Sequence, residues 1–593
     1  MNRPPGHGSV LIIGAGPAGL AAAHELVRRD VRPVVLEKGN KAGGIARTEV
    51  YRGYRFDIGG HRFFTKNDAL MKLWQTVLDQ GFMKVHRVSR IYYDGRFLDY
   101  PLNFFNALTR MGATESLFIL LSYLRAQIHP YPEEETFEQW VSNRFGRRLY
   151  SKFFAPYTAK VWGMPCDRIP ADWARQRIKG LSLVAALSHA LFGNQKAKSL
   201  IHEFYYPEKG PGMMWEMFCQ KIAEKGGHVR FDTKVMGLNH GNRRITGVKC
   251  MERDRTFEMP VGHLISSMPL DKLVAMLDDR IVPADVLKAA GSLTHRGLIL
   301  VVLILDKDDL FPDQWIYIHS PGFKVGRIQN FKNWSPAMVP DPHRTSLGME
   351  YFCSEGDRLS GMSDEALSAV AVSELARLGL AEKNQVIDTF VVRQPDAYPV
   401  YNSGYEKRLK VIGDFLDGFE NLQTIGRNGM HRYNNMDHSM QTGILAAQNV
   451  LGADHDLWAV NEEAEYLEED PSVSPRGTLV EKVILQSFAR MDKPAMGIAL
   501  GTVSGLLFFV ATLWLVVKGG EVVGPNLQLL SQYFFGYTVS VKGAFIAFFY
   551  GFFWGFLFGW FFAYLRNLLV ALYLFRVRKK AERLRLRDFV DHI

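Results

Sequence analysis

Gly14, Gly16 and Gly19 stand in the pattern G-x-G-x-x-G between an apolar run, residues 9–13, and an alanine-rich segment of helical period that reaches residue 29. Glycines at this spacing bind a dinucleotide pyrophosphate. The first allows a tight turn, the second lets the backbone approach the phosphates, and the third permits close helix packing. The phosphates then meet the positive end of the helix. Glu37 closes the next apolar run, residues 34–37, where a carboxylate can accept ribose hydroxyls. Residues 41–48 follow with Gly43, Gly44 and Arg47, two more close-approach glycines and a cation. No serine or cysteine has a credible base, and the histidines lack ligand spacing, so neither nucleophilic hydrolysis nor a metal centre is expected.

This second glycine segment resembles that of FAD proteins of the amine-oxidase and desaturase type, in which the arginine meets the flavin side of the cofactor. Residues 424–427, with Gly426 and Arg427 just before a helical stretch, are similar to the segment that closes over the flavin in those families. FAD is therefore the expected cofactor, in a β-α-β, Rossmann-like domain.

Further segments narrow the resemblance. Phe56-Asp57-Ile58-Gly59-Gly60-His61, Lys160-Val161-Trp162-Gly163-Met164-Pro165 with Trp173 and Arg177, the stretch 327–336, and 426–433 with Asp437 and Ser439 look like UDP-galactopyranose mutases, most closely the eukaryotic branch. The matches run in order from residue 9 to about 450. The resemblance implies that reduced FAD attacks the anomeric carbon of a hexopyranose through N5 and forms a covalent adduct. The ring then recloses as a furanose, and the phosphate leaving group returns. Flavin would be used without net redox change, in its FADH2 or FADH⁻ form, in cell-envelope polysaccharide biosynthesis.

By the same resemblance, Arg177, Arg327 and His61 are the catalytic residues, the two arginines binding phosphate and His61 packing beside the flavin. Gly60, Gly426, Arg427, Asp437 and Ser439 belong to the cofactor site. Tyr100, Asn103, Tyr317, Trp334, Tyr398 and Tyr433 line the substrate site. Trp334 stands where the eukaryotic mutases tend to have tyrosine, and Ile201 where a polar contact is expected, so the carrier is left open between a nucleotide and a polyprenyl phosphate. A flavin oxidoreductase of desaturase or amine-oxidase type, acting on a membrane lipid, shares the glycine motifs. The Arg177/Arg327 pair is what separates it from a mutase.

These residues need several elements to position them. With 593 residues, 47 % hydrophobic and 22 % charged, the chain is neither disordered nor collagen-like and is long enough for more than one domain. Strands are predicted at 229–250 (a hairpin), 263–267, 298–305, 348–353 and 421–426, and helices mostly over 66–200. The expected parts are an FAD-binding domain in three pieces (1–100, 201–290, 416–455), a helical insertion (101–200) and an antiparallel-sheet substrate domain (291–415). A linker with an amphipathic segment (456–493) and a two-helix membrane hairpin with a basic tail (494–593) complete the chain. Four dispersed cysteines suit a reducing compartment.

The mean hydropathy of −0.07 excludes a polytopic membrane protein, yet residues 494–517 and 543–565 carry no formal charge over 24 and 23 positions. At about 1.5 Å per residue each covers a bilayer core of roughly 30 Å. The interrupted N-terminal apolar run is not a signal peptide. The tail after Phe575 is densely basic, which places it, and with it the body, on the cytoplasmic side of the inner membrane. Part of the formal charge of +10 sits in this tail, so a membrane surface and not nucleic acid is the expected partner. Glycosyltransferases are further possible partners. Gly551, Gly555 and Gly559 form a small-residue stripe able to serve the hairpin or a homodimer.

Overall fold

The computed structural model describes residues 9–100, 112–171, 173–174, 203–278, 280–461, 491–519 and 524–590, with side chains only to 569 in the last helix. The chain divides into two compact units, Met1–Val473 and Ser474–Ile593. Asn103, Arg177, Ile201 and the polar linker lie outside the described residues.

In the first unit, Val10–Ile13 is the centre of a five-stranded parallel sheet. The order is Leu422–Thr424, His263–Ser266, Val10–Ile13, Val34–Leu36, His228–Arg230. All four residues of the central strand are buried, as a strand covered on both faces requires. The helix Pro17–Val27 crosses from the first strand to the second and packs on Met436–Val450. Gly443 permits that approach, because a Cβ there would lie 2.1 Å from the Ala18 carbonyl oxygen.

A seven-stranded sheet forms the second layer, in the order Val386–Pro399, His295–Leu305, Thr345–Cys353, Arg327–Asn330, Trp315–Ile318, Ser89–Tyr93, Arg96–Asp99. Its last two strands correct the domain boundary expected at residue 100. They leave the cofactor domain because Ser89–Tyr93 pairs in parallel with Trp315–Ile318. The predicted hairpin over 229–250 also differs. His228–Arg230 joins the parallel sheet, and Thr233–Gly241, Arg244–Glu252 and Arg255–Pro260 make a separate antiparallel meander.

The helical insertion contains Ala113–Ile128, Phe137–Phe145 and Ala155–Trp162. Thr136 and Gln139 close a capping box that starts the second of these. This helix ends at Gly146, which has a φ of +82° and where a Cβ would lie 2.7 Å from the Tyr123 backbone nitrogen.

In the second unit, Lys493–Lys518 and Val541–Val590 are helices. Each contains a stretch long and apolar enough to cross a membrane, with mean hydropathy of 2.2 and 1.7 and only 17 % of each stretch buried. The two pack through glycines on both sides. A Cβ on Gly501 would lie 2.7 Å from the Phe552 carbonyl oxygen, and one on Gly555 would lie 2.7 Å from that of Leu500. Gly497 and Gly505 meet Phe556 and Phe548 in the same way, while Gly551 and Gly559 meet Ser504 and Met496. The stripe of Gly551, Gly555 and Gly559 therefore packs within the hairpin.

Candidate functional site

A cavity of about 860 Å³ opens where the glycine loop, the Gly59–Gly60 turn, the strand Val386–Pro399 and the start of Met436–Val450 converge. Gly14 has a φ of +98° and donates its N–H to the Leu36 carbonyl at 2.8 Å, which fixes the turn. Gly16 and Gly44 face each other, and a Cβ on Gly44 would come within 3.3 Å of the Gly16 Cα. The helix beginning at Pro17 has no side-chain cap, so its first N–H groups are available to an anion. Gly19 packs against the Gly14 carbonyl and does not line the cavity. Neither does Gly43, whose φ of +107° seats the second glycine segment against Trp215. Its N–H reaches the Ala15 carbonyl at 2.8 Å.

Glu37 lines the cavity and is oriented by two backbone donors, Ala15 and Gly39, each at 2.8 Å. Arg47 is held by Glu49 at 2.6 Å and by the Gly44 carbonyl at 2.8 Å. Asp437 and Ser439, both buried, line the wall at the start of the last helix, whose N-cap residue Asn435 makes no side-chain cap bond. Gly426 has a φ of +80° and donates its N–H to the Thr442 hydroxyl at 3.0 Å. Glycine cradles, two uncapped helix starts and an oriented carboxylate in one cavity fit a dinucleotide such as FAD.

At another part of the cavity stand Arg327, Arg427, His61, Tyr100, Tyr317, Tyr398 and Tyr433. Glu350, fully buried, holds Arg327 through Nε at 2.9 Å and Nη2 at 2.7 Å. Burial alone would lower the Arg327 pKa, but the Glu350 carboxylate more than offsets this and keeps it above the usual arginine value. Arg427 donates to the Asn434 carbonyl at 2.9 Å and lies over the Tyr433 ring at 4.7 Å. Tyr433 is stacked with Tyr398.

His61 donates from Nε2 to the Ile58 carbonyl at 2.9 Å. Burial, with Arg427 and Arg327 nearby, lowers its pKa to about 4, so it is neutral at physiological pH. A neutral ring with Nε2 committed to the backbone suits a packing role better than proton transfer.

Trp334, expected at the substrate site, is 3 % exposed and donates its indole N–H to the Gln314 carbonyl at 3.1 Å. It stacks with Trp315 and forms the floor beneath Gly60, where a Cβ would lie 3.5 Å from the indole. Its side chain belongs to the core because the short helix Phe331–Trp334 turns it away from the cavity side.

Two contributors have no motif of their own. Glu350 is a carboxylate inside the wholly buried strand Thr345–Cys353, and a lone charge in such a strand demands a cation. Tyr157 stacks on His319 at 4.5 Å and meets Tyr317 edge-on, one turn before Lys160. The Lys160 amine donates to the carbonyls of Ile318 and Val325 at 2.8 and 3.0 Å, pinning this helix to the strand that carries Tyr317. Burial lowers its pKa to about 8. No metal-ligand cluster occurs among the described residues.

A family profile described as flavin-containing amine oxidoreductase matches residues 17–451, most of the chain. The protein belongs to that family. FAD is accordingly its cofactor. Relatives within this range differ in chemistry. A 1-hydroxycarotenoid 3,4-desaturase of Flavobacterium sp. (strain P99-3) is 24 % identical over 40 % of this chain and 52 % of its own length. A UDP-galactopyranose mutase of Mycoplasma pneumoniae is 28 % identical over 28 % of this chain and 44 % of its own. This chain thus spans about half the length of these two relatives. Among solved structures, a reduced UDP-galactopyranose mutase superposes with a TM-score of 0.68 at 21 % identity, covering 77 % of this chain and 97 % of that one. The fold is thus that of a mutase-like flavoprotein.

Proposed function

We propose that this protein is a membrane-anchored, FAD-dependent pyranose–furanose mutase acting on a phosphate-activated, UDP-galactose-like sugar. The observation that carries the reading is the pair of cations, Arg327 and Arg427, set among four tyrosines in the cofactor cavity. A leaving phosphate gains charge as its bond breaks, and preorganised guanidinium groups stabilise that charge. The oxidation of a hydrocarbon or an amine has no such need.

When bound, reduced FAD would supply the nucleophile for the sugar carbon. The chain supplies the rest. Arg327, braced by Glu350, presents its remaining amino group beside the Gly59–Gly60 turn. Arg427, seated on the Tyr433 ring, offers a second phosphate contact. The phenols of Tyr317, Tyr398 and Tyr433 orient the sugar hydroxyls, and neutral His61 adds no charge to the flavin pocket.

The two C-terminal apolar helices would tether the body to the inner membrane, with body and basic tail in the cytoplasm and within reach of glycosyltransferases. The desaturase relative favours a second reading, a flavin oxidoreductase acting on a membrane lipid.

The experiment is anaerobic incubation of the dithionite-reduced protein with UDP-galactofuranose, followed by chromatography for UDP-galactopyranose. Turnover with reduced but not oxidised flavin, without consumption of an electron acceptor, supports the mutase. A polyprenyl-phosphate sugar tested in parallel separates the carriers. Acceptor-dependent lipid oxidation, with neither sugar turned over, would replace the mutase by the second reading.

A further inference from the structure

The outer face of the helix Ala113–Ile128 is apolar. Leu117, Phe118, Leu121, Leu124 and Ile128 are 55, 52, 52, 47 and 71 % exposed, while Ile119 and Tyr123, one turn apart, are buried. Leu117, Leu121, Leu124 and Ile128 fall at i, i+4, i+7 and i+11, one continuous stripe. Elsewhere in Met1–Val473, the exposed large apolar side chains among the described residues stand singly, as Val50, Met236, Ile281 and Ile387 do. A contiguous apolar patch of this kind marks an interaction surface.

The helix is firmly seated, so this face is not a frayed end. Ile119 and Tyr123 join a cluster with Phe137, Trp140, Tyr150 and Phe153. Arg148 grips Glu115 in the first turn at 2.7 and 2.9 Å and lies over the Phe118 ring. Lys152 reaches the same carboxylate, and Arg125 projects from the last turn. Cations thus border the apolar stripe.

We infer that this face lies on a phospholipid bilayer, making the helix a second, in-plane membrane contact. The inference rests on the reading of the C-terminal helices as a membrane anchor. A tethered body meets the lipid surface at high effective concentration. An apolar stripe bordered by arginine and lysine suits burial by about 5–10 Å into the headgroup boundary, with the cations at lipid phosphates. The aromatic cluster that seats Ile119 and Tyr123 also packs Tyr100, Tyr317 and Tyr433 of the cavity wall. The lipid-facing helix and the sugar site therefore share one core.

The test uses the full chain in vesicles of phosphatidylcholine and phosphatidylglycerol. Cys219, the one native cysteine that is not buried, is replaced by serine. Nitroxides are placed singly at Leu121→Cys and Ile128→Cys, at Ile387→Cys as a control on the same body, and at Val510→Cys in the anchor. Collision with oxygen, which concentrates in lipid, is compared with collision with a water-soluble nickel chelate.

The expected result is a severalfold fall in nickel collision with a rise in oxygen collision at 121 and 128, as at 510 and unlike 387. Nickel collision at 121 and 128 equal to that at 387, with 510 in lipid, overturns the inference and leaves the anchor intact. Loss of both collisions at 121 means a protein surface covers the face, which also overturns it. A water-exposed 510 removes the anchor, and the inference with it.

Discussion

Arg327 and Glu350 stand opposite each other on neighbouring antiparallel strands, with the guanidinium fork closed on a carboxylate that has no solvent exposure. Gln329, two residues along the same strand, bonds the same carboxylate. The pair makes a cation of fixed direction at the cavity wall, and it makes that cation costly to disturb.

Glu350→Ala leaves Arg327 largely buried without its counter-charge and is expected to cost about 3–5 kcal/mol of stability. Glu350→Gln keeps the shape and one acceptor, so it should fold and retain flavin. Its Arg327 loses the fork, and turnover of the sugar should fall at least about tenfold, the worth of one charge-assisted bond. Flavin absorbance per protein, a thermal melt and steady-state kinetics on the two variants check this. Unchanged turnover in Glu350→Gln would show that the direction of Arg327 is immaterial.

Gly16 and Gly19 separate cofactor approach from packing. Gly16 has an ordinary φ of −79°, and a Cβ on it would meet nothing nearer than the Gly44 Cα at 3.9 Å. Gly16→Ala should therefore fold with the stability of the parent apoprotein yet purify with much less flavin, because the methyl occupies the phosphate approach. A Cβ on Gly19 would lie 2.0 Å from the Gly14 carbonyl oxygen. Gly19→Ala should lower the melting temperature even without cofactor. Equal melting losses in the two apoproteins would contradict this division.

What was legible in the sequence follows the same division. The first glycine turn and Glu37 act within a few residues, so their spacing located them, while the closing segment at Gly426 was legible only through its resemblance to FAD proteins. The Arg327–Glu350 fork depends on a strand register that joins residues 23 apart, as the pairing of Trp315 with Ser89 depends on one spanning about half of the unit. The family resemblance puts Trp334 at the substrate site. Its indole N–H is satisfied by Gln314 instead, a contact set by which way one short helix faces. The glycine stripe at 551, 555 and 559 was plain, but its partner became definite only with Gly497, Gly501 and Gly505 opposite.

Asp57, the last residue of the strand Tyr54–Asp57, is buried and accepts from Tyr206 at 2.5 Å and Thr48 at 3.0 Å. Burial raises its pKa to about 7, partly countered by those two donors. The unfolded chain gives up the same proton near about 3.9. The folded state therefore binds it more tightly, so this group's contribution is full below about pH 4 and is lost as pH rises to about 7. Asp57→Asn, which cannot ionise, should flatten the pH dependence of the melting temperature between pH 5 and 8 and raise it at pH 8. An unaltered pH slope would mean that Asp57 is ionised in the fold.

The hairpin gives a prediction that leaves the flavin untouched. Gly501 and Gly555 hold the two apolar helices at backbone contact, and a side chain at either collides with a carbonyl oxygen 2.7 Å away. Rigid backbone cannot yield as a flexible side chain can, so Gly501→Val should force the helices apart and expose carbonyl and aromatic surface that was paired. The body, a separate compact unit, keeps its own core. The variant should therefore retain flavin absorbance while more of it fails to float with lipid on a density gradient, and Gly555→Val should do the same. Cross-linking between copies should be no weaker than in the parent protein, because the stripe packs within one chain. Loss of a cross-linked dimer, with flotation intact, would assign the stripe to subunit contact instead.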